Sequence, residues 1–309
     1  MLRNAIIEGV LRLRDLTSAA EAAATLEGEV DGEAGVGNQL RHLLYLSSPM
    51  GGARPKTVVM DDAGQLWVVK FRAREDRWNN AIIEAAFLEL AGICGIRVPQ
   101  TQIVRLGDHD VLLVKRFDQK PSQAGPIRRP FISSNSLLDL GEDVVRRDGW
   151  SYLDLAQVIR KVSGAPEADT RELFRRAVLN ALVSNLDDHP RNHAMLFEED
   201  GWRLSPAYDL TPARTASQDE RELALACGII PGRERWANRY NLISGAGYFG
   251  LDEGEAGEVI TTMKSLVLAS WEDAVLRQGG TQQDCANISH AIVSAYPSFE
   301  YESSGGVGA

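Results

Sequence analysis

Cysteine is scarce in this chain: Cys94, Cys227 and Cys285 are its three, far apart and without paired metal-ligand spacing. Neither a disulfide framework nor a zinc cluster is suggested, and a reducing, cytoplasmic setting fits. Long apolar runs are missing too. No segment approaches the roughly 18 uninterrupted apolar residues of a membrane span, and the opening MLRNAIIEGVLRLRD lacks an apolar core or a small-residue cleavage site. The chain therefore reads as soluble and unprocessed, with no membrane partner. Basic charge is in deficit: 33 Lys and Arg against 43 Asp and Glu leave a formal net charge of -10. That argues against direct nucleic-acid binding, which needs a basic face to neutralise phosphates. There is no internal repeat.

With 309 residues, 44% of them hydrophobic, the chain can bury a sizeable core and exceeds the usual length of one compact core, so two lobes are expected. The spacing of Ile6, Val10, Leu11, Leu13 and Leu16 predicts a helix within Asn4 to Thr25. KTVVM and QLWVVKF, joined by DDAG, read as a hairpin whose second strand ends on Lys70. NNAIIEAAFLELAGICG has helical spacing and a glycine where a C-cap belongs. IRVPQTQIVRL and DVLLVKRFD read as a second strand pair, and QKPSQAGPIRRPFISSNS as irregular chain at a lobe boundary. Helical patterns dominate beyond it, in TRELFRRAVLNALVSNL, EAGEVITTMKSLVLASWEDAVLRQ and TQQDCANISHAIVSAY. The expected domains are a helical extension (1–46), a mixed β-rich N-lobe (47–118), a mainly helical catalytic C-lobe (119–296) and a disordered tail (297–309).

The stretch most suggestive of chemistry is NLDDHPRNHAMLF, where Asp187 and Asn192 stand five apart. Phosphoryl transfer needs a carboxylate beside the attacking hydroxyl and an oxygen ligand on the metal that bridges the phosphates, and D-x-x-x-x-N supplies both. Alone the pattern is weak, because Asp and Asn commonly cap helices and turns. Seventeen residues past Asn192, SPAYDLTPA offers Asp209 as a second metal carboxylate. Lys70 closes a strand and Glu84 sits fourteen residues later in a helix, a pairing able to hold a phosphate-gripping lysine. SSPMGGARPK joins Ser47, Ser48, Gly51, Gly52, Ala53, Arg54 and Lys56, with glycines that let backbone N–H groups approach phosphate. Asp188 lies only four before Asn192 and reads as a structural neighbour of Asp187. The charged runs RELFRR, RRDGW and GRERW read as solvated faces.

GGARPK, the VVK strand end, the helix segment Glu84 to Ala91, VKRFD, NLDDHPRN and YDLTP occur in an order that resembles the HipA-like kinases, from Ser47 to the C-terminal helices. The resemblance implies an α+β, two-lobed protein-kinase-like fold and ATP- and Mg2+-dependent phosphorylation of a serine or threonine. By it, Asp187 is the catalytic base, His189 supports the catalytic loop, and Asn192 and Asp209 hold magnesium. Gly51, Gly52, Ala53, Arg54, Lys56, Lys70 and Glu84 serve the nucleotide, with the Lys115 to Phe117 backbone as an adenine-binding hinge. The implied partners are a helix-turn-helix antitoxin and a target protein of translation such as an aminoacyl-tRNA synthetase, the implied outcome growth arrest by a type II toxin.

Larger relatives carry more chain before the Gly-rich loop, so this looks like a short form. Many also autophosphorylate a loop serine; Pro49 falls near that position, leaving Ser47 and Ser48 as candidates. His189 and His193, four apart, echo the H-E-x-x-H zinc motif, but Pro190 stands where its glutamate belongs. A small-molecule kinase of the aminoglycoside or choline type would share D-x-x-x-x-N. A partner-binding pseudokinase would not need Lys70, Asp187, Asn192 and Asp209 together.

Overall fold

The computed structural model describes residues 6–7, 10–16, 56–71, 76, 78–106, 109–120, 122, 125–141, 147, 149–213 and 221–300. The predicted N-terminal helix gives way at its start to two short antiparallel strands, β1 (Ile6–Ile7) and β2 (Val10–Arg12), followed by a helical turn at 13–16. Apolar spacing there suits either period. The β-branched residues take the strand, because β2 can lie parallel on β3 (Lys56–Met60), with Leu11 opposite Val59. The rest of the expected 1–46 extension lies outside the described residues.

β3 and β4 (Leu66–Lys70) form the expected hairpin, with Val58 opposite Val68. The DDAG turn closes because Asp61 Oδ1 accepts from the backbone N–H of Ala63 and Gln65, both at 2.9 Å, while Gly64 supplies φ +77°. Next comes α1 (Asn80–Ile93), ended by Gly95 at φ +74° with Ile96 N–H returning to Ala91 O at 2.9 Å. β5 (Thr101–Leu106) and β6 (His109–Lys115) complete a sheet of order β1-β2-β3-β4-β6-β5. Alternation along β6 splits its apolar run between two faces. Val111 and Leu113 join Leu16, Val59, Trp67 and Val69, and Leu112 and Val114 join Ala85. Each fully buried leucine contributes about 1.5–3 kcal/mol relative to exposure.

The stretch predicted to be irregular is partly ordered. β7 (Gln119–Lys120) pairs with β8 (Ile127–Arg128), and β9 (Phe131–Ser133) runs into α2 (Ser134–Leu137). Gly125, at φ +109°, allows the turn between β7 and β8. Helices follow: α3 (Tyr152–Val162), capped by Ser151, and α4 (Pro166–Leu182), opened by a proline at its first turn. β10 (Ala194–Glu198) and β11 (Gly201–Leu204) add to β9 in a three-stranded sheet. α5 (Arg239–Ser244), α6 (Glu253–Arg277) and α7 (Gln282–Ile288) complete the helical part; α6 buries Ala256, Ile260, Met263, Val267, Trp271 and Ala274 as one stripe. The last predicted helix stops at Ile288 and breaks into 3-10 turns.

The chain divides into two compact units. One is Met1–Ala85, Pro99–Arg129 and Gln278–Gly280, and holds the six-stranded sheet; the other is Ala86–Val98, Pro130–Arg277 and Thr281–Ala309, and is mainly helical. The architecture is α+β. Among the described residues no helix is long and apolar enough to cross a membrane.

Candidate active site

In the helical unit α4 ends at Leu182, and Ser184, at φ +52°, turns the chain into a loop that closes at the 3-10 turn Pro190–Asn192. Pro190 opens that turn, and Asn192 N–H donates to His189 O at 2.8 Å. Asp187 is exposed, whereas Asn192 is 6% exposed. Neither side chain has a hydrogen-bond partner among the described residues. A carboxylate open to solvent can meet a hydroxyl. An amide without a protein partner keeps its oxygen available to a ligand.

Asp188 differs from its neighbour in every respect. It is 1% exposed, and its Oδ2 collects three donors: Tyr152 Oη, Asn180 Nδ2 at 2.8 Å and His193 Nε2 at 2.7 Å. Burial pushes its pKa up, but His193 and the Tyr152 hydroxyl outweigh that and hold it below the ordinary carboxylate value, so it stays an anion. The Tyr152 phenol is driven well above 10, by burial first and the Asp188 charge second, and therefore stays a donor. His189 is half-buried, packs edge-on against Trp150 with centroids 6.3 Å apart, and has no partner at Nδ1. Of the two loop histidines, His193 makes the side-chain contact to the loop.

Asp209 follows β11 on a segment bonded to both ends of that loop. Tyr208 Oη donates to Arg191 O at 2.8 Å, and Ala213 N–H donates to Ser184 O at 2.8 Å. Asp209 itself is half-buried, with φ +63°, a conformation that costs a non-glycine residue energy and gathers at functional sites. Upstream, charged residues fix the approach. Asp169 accepts from Leu204 N–H at 2.9 Å, Arg97 Nη2 donates to Leu204 O, and Arg176 Nη2 donates to Ser205 O. Arg176, in the run RELFRR, is 2% exposed and paired with Glu172, so that run is no solvated face.

Asn192 and Asp209 offer hard oxygen donors, and the Asn192 carboxamide has no hydrogen-bond partner among the described residues, so this donor set fits Mg2+. Among the described residues no group of three or more His, Cys, Asp or Glu is placed to hold a metal ion. An ion completed by nucleotide phosphates and water needs only one or two protein ligands.

In the sheet unit Lys70 Nζ lies 2.5 Å from Glu84 Oε1, the side chains 14% and 6% exposed. Lys56 stands directly opposite Lys70 across β3 and β4, and has no ion-pair partner among the described residues. Like charges so placed repel, and Glu84 answers one of them. A hollow beside Lys70 and Glu84 is bordered by Asn79, Asn80 and Asp110. Lys115 N–H is bonded to Gln100 O and Arg116 N–H to Leu66 O, both at 2.9 Å. Those two N–H groups are therefore already engaged within the sheet unit. Ser47, Ser48, Gly51, Gly52, Ala53 and Arg54 lie outside the described residues.

Three features escaped sequence reading: the Tyr152, Asn180 and His193 grip on Asp188, the Ser184 hub and the buried Arg176. Tyr152 and Asp188 are 36 residues apart, and no local pattern links them. The one available signal was phase, since Asp188 must point away from whatever Asp187 faces.

The family model described as the HipA-like C-terminal domain matches residues 48–271, and the chain belongs to that family. The serine/threonine-protein kinase toxin HipA of Shewanella oneidensis is 27% identical over 175 residues, covering 52% of this chain and 39% of that protein. The putative kinase Y4mE of Sinorhizobium fredii is 27% identical over 131 residues, 41% of this chain and 31% of the relative. The matches thus span well under half the length of these relatives. Among solved structures, the Shewanella oneidensis toxin–antitoxin complex of HipA, HipB and operator DNA contains a chain with the same fold, at TM-score 0.64 and 20% identity, over 82% of this chain and 66% of that one.

Proposed function

We propose that this protein is an ATP- and Mg2+-dependent kinase that phosphorylates a serine or threonine of a protein substrate. The observation that carries the reading is the pairing of an exposed, unpartnered Asp187 with a buried, unpartnered Asn192, on a loop bonded at both ends to the segment bearing Asp209. Asp187 orients the substrate hydroxyl and takes its proton as the oxygen attacks the γ-phosphorus and the bond to the β-phosphate oxygen breaks. Lys70, steadied by Glu84, and Lys56 offset phosphate charge. Asn192 and Asp209 would hold Mg2+, which when bound would supply further neutralisation of phosphate charge.

Membership of the HipA-like family and the named relatives support a further extent of this reading, a toxin of a type II system. Its partner would be a helix-turn-helix antitoxin and its target a protein of translation, such as an aminoacyl-tRNA synthetase. Ser47 and Ser48 remain the proposed self-phosphorylation positions.

Transfer of label from [γ-32P]ATP into a host lysate, with the labelled protein then identified, tests all of this. Label is expected in a protein band, and Asp187→Asn should lower transfer by about a thousandfold or more, by analogy with the loss of a catalytic residue acting in a unit. Label confined to small molecules would replace the substrate class with that of a small-molecule kinase. No label at all, with ATP still bound, would leave a pseudokinase. Phosphopeptide mapping of the chain in the same reaction reports on Ser47 and Ser48.

A further inference from the structure

Two pairs in the loop share a spacing of five: Asp187 with Asn192, and Asp188 with His193. The side chains of the first pair have no hydrogen-bond partners among the described residues. The second is buried and closed on itself, His193 Nε2 to Asp188 Oδ2 at 2.7 Å. Each inner residue is the chain neighbour of an outer one, and neighbouring Cα atoms are held about 3.8 Å apart by the peptide plane. The separation of the inner pair therefore governs the backbone separation of the outer pair. The inner pair is itself anchored in two helices: Tyr152 at the start of α3 and Asn180 near the end of α4 both donate to the same Oδ2, and Asn185 Nδ2 braces Asn180 Oδ1 at 3.0 Å. Tyr152 also packs edge-on against the His193 ring, centroids 5.6 Å apart.

We propose that Asp188 is a positioning residue for phosphoryl transfer, gripping His193 so that the loop presents Asp187 and Asn192 at the separation the reaction needs. The inference rests on the kinase reading above. A role in stability alone explains the arrangement poorly, because apolar residues of similar volume often hold a core as well as a buried ion pair does. What a charged, hydrogen-bonded cluster adds is a single geometry. Its three donors converge on one oxygen, so Asp188 cannot rotate without losing all of them. Displacing a reacting group by about 1 Å costs on the order of a hundredfold in rate.

The test uses the full chain, with MnATP binding followed by paramagnetic resonance and phosphoryl transfer from ATP to lysate protein or water. Asp188→Asn should lower turnover by about 10–100-fold, as loss of a residue orienting a ligand does, with a smaller change in KM for ATP because the loss is greatest in the transition state. Its Mn2+ signal should broaden. Tyr152→Phe removes a donor from the same oxygen but leaves the His193 bridge, so it should lower the melting temperature comparably while turnover stays within about threefold. His193→Gln keeps an N–H donor and should retain most activity, whereas His193→Leu should lose it; that contrast decides the matter if Asp188→Asn fails to fold. A folded Asp188→Asn with wild-type turnover, or a Tyr152→Phe equally crippled, overturns the inference alone. A wild-type chain that neither binds MnATP nor transfers phosphate overturns the kinase reading and this inference with it.

Discussion

Asp169 shows how one buried carboxylate reaches the candidate active site. Its side chain is 1% exposed and accepts from Arg203 Nη2 at 3.0 Å, Ser163 Oγ at 2.6 Å and the N–H of Leu204 at 2.9 Å, five residues before Asp209. Burial pushes its pKa up, but the Arg203, Ser163 and Leu204 bonds outweigh this and hold it below the ordinary 3.8. Both the folded and unfolded chain are ionised well above that value, so the contribution to stability is then complete. As pH falls below about 4 the unfolded chain takes up the proton first and the contribution is lost. Asp169→Asn should therefore destabilise the protein by about 1–3 kcal/mol near neutrality, the usual cost of losing hydrogen bonds to a charged group, because Arg203 is part-exposed and can be solvated. The gap from wild type in urea midpoint should narrow as pH drops from about 5 to about 3. A gap that stays constant over that range would count against the carboxylate's role. At this scale Asp187 and Asn192 were legible in the sequence because their relation is local, a spacing within one loop. Asp169, Arg176 and Tyr152 were not, because their partners are remote in the chain and a charge in an arginine-rich run looks the same whether it is solvated or buried.

Among the elements, β3, β4, α1, β5 and β6 follow the residue pattern closely, since each carries its own period and its own turn signal: Asp61 and Gly64 in one case, Gly95 in another. The strands β1 and β2 were misread as helix because a strand needs a neighbour, and the edge of β3 is not visible from residues 6 to 12. α3 went unremarked although Ser151 caps it by accepting from Leu153 and Asp154 N–H, both at 3.1 Å. Close approach is still less legible. Gly228 lies against Asn241 of α5, which is fully buried and donates to the carbonyls of Glu234 and Trp236 at 3.1 Å, and a Cβ at 228 would collide with the Asn241 side chain and carbonyl. Gly247 has ordinary φ and open space around its missing Cβ. Gly228→Ala should thus cost about 1–3 kcal/mol by overpacking, while Gly247→Ala should stay within about 0.5 kcal/mol of wild type. Chemical denaturation of both variants measures this; equal stabilities would show that the α5 contact yields without strain.

For the whole molecule, the decisive quantity is how nucleotide binding couples to stability. The chain is acidic, with formal net charge -10, so a polyanion such as ATP is drawn only by local positive charge. The β3–β4 hairpin provides that charge in Lys56 and Lys70, side by side at its end, Lys70 paired with Glu84. A ligand that binds only the folded chain stabilises it by about 2.7 kcal/mol at a hundred times its dissociation constant. In a chain of this size that raises the melting temperature by about 4 °C. A non-hydrolysable ATP analogue with Mg2+ should produce that shift in the wild type. Lys70→Met should abolish most of the shift, and Asp187→Asn should preserve it, because Lys70 is assigned to the phosphates and Asp187 to the hydroxyl. Lys70→Met also removes the ion pair to Glu84, which is 5% exposed, so its own melting temperature should start lower; the ligand-induced shift is the quantity that discriminates. A shift that survives Lys70→Met and vanishes in Asp187→Asn would exchange the two roles, and no shift in the wild type would remove ATP from the proposal altogether.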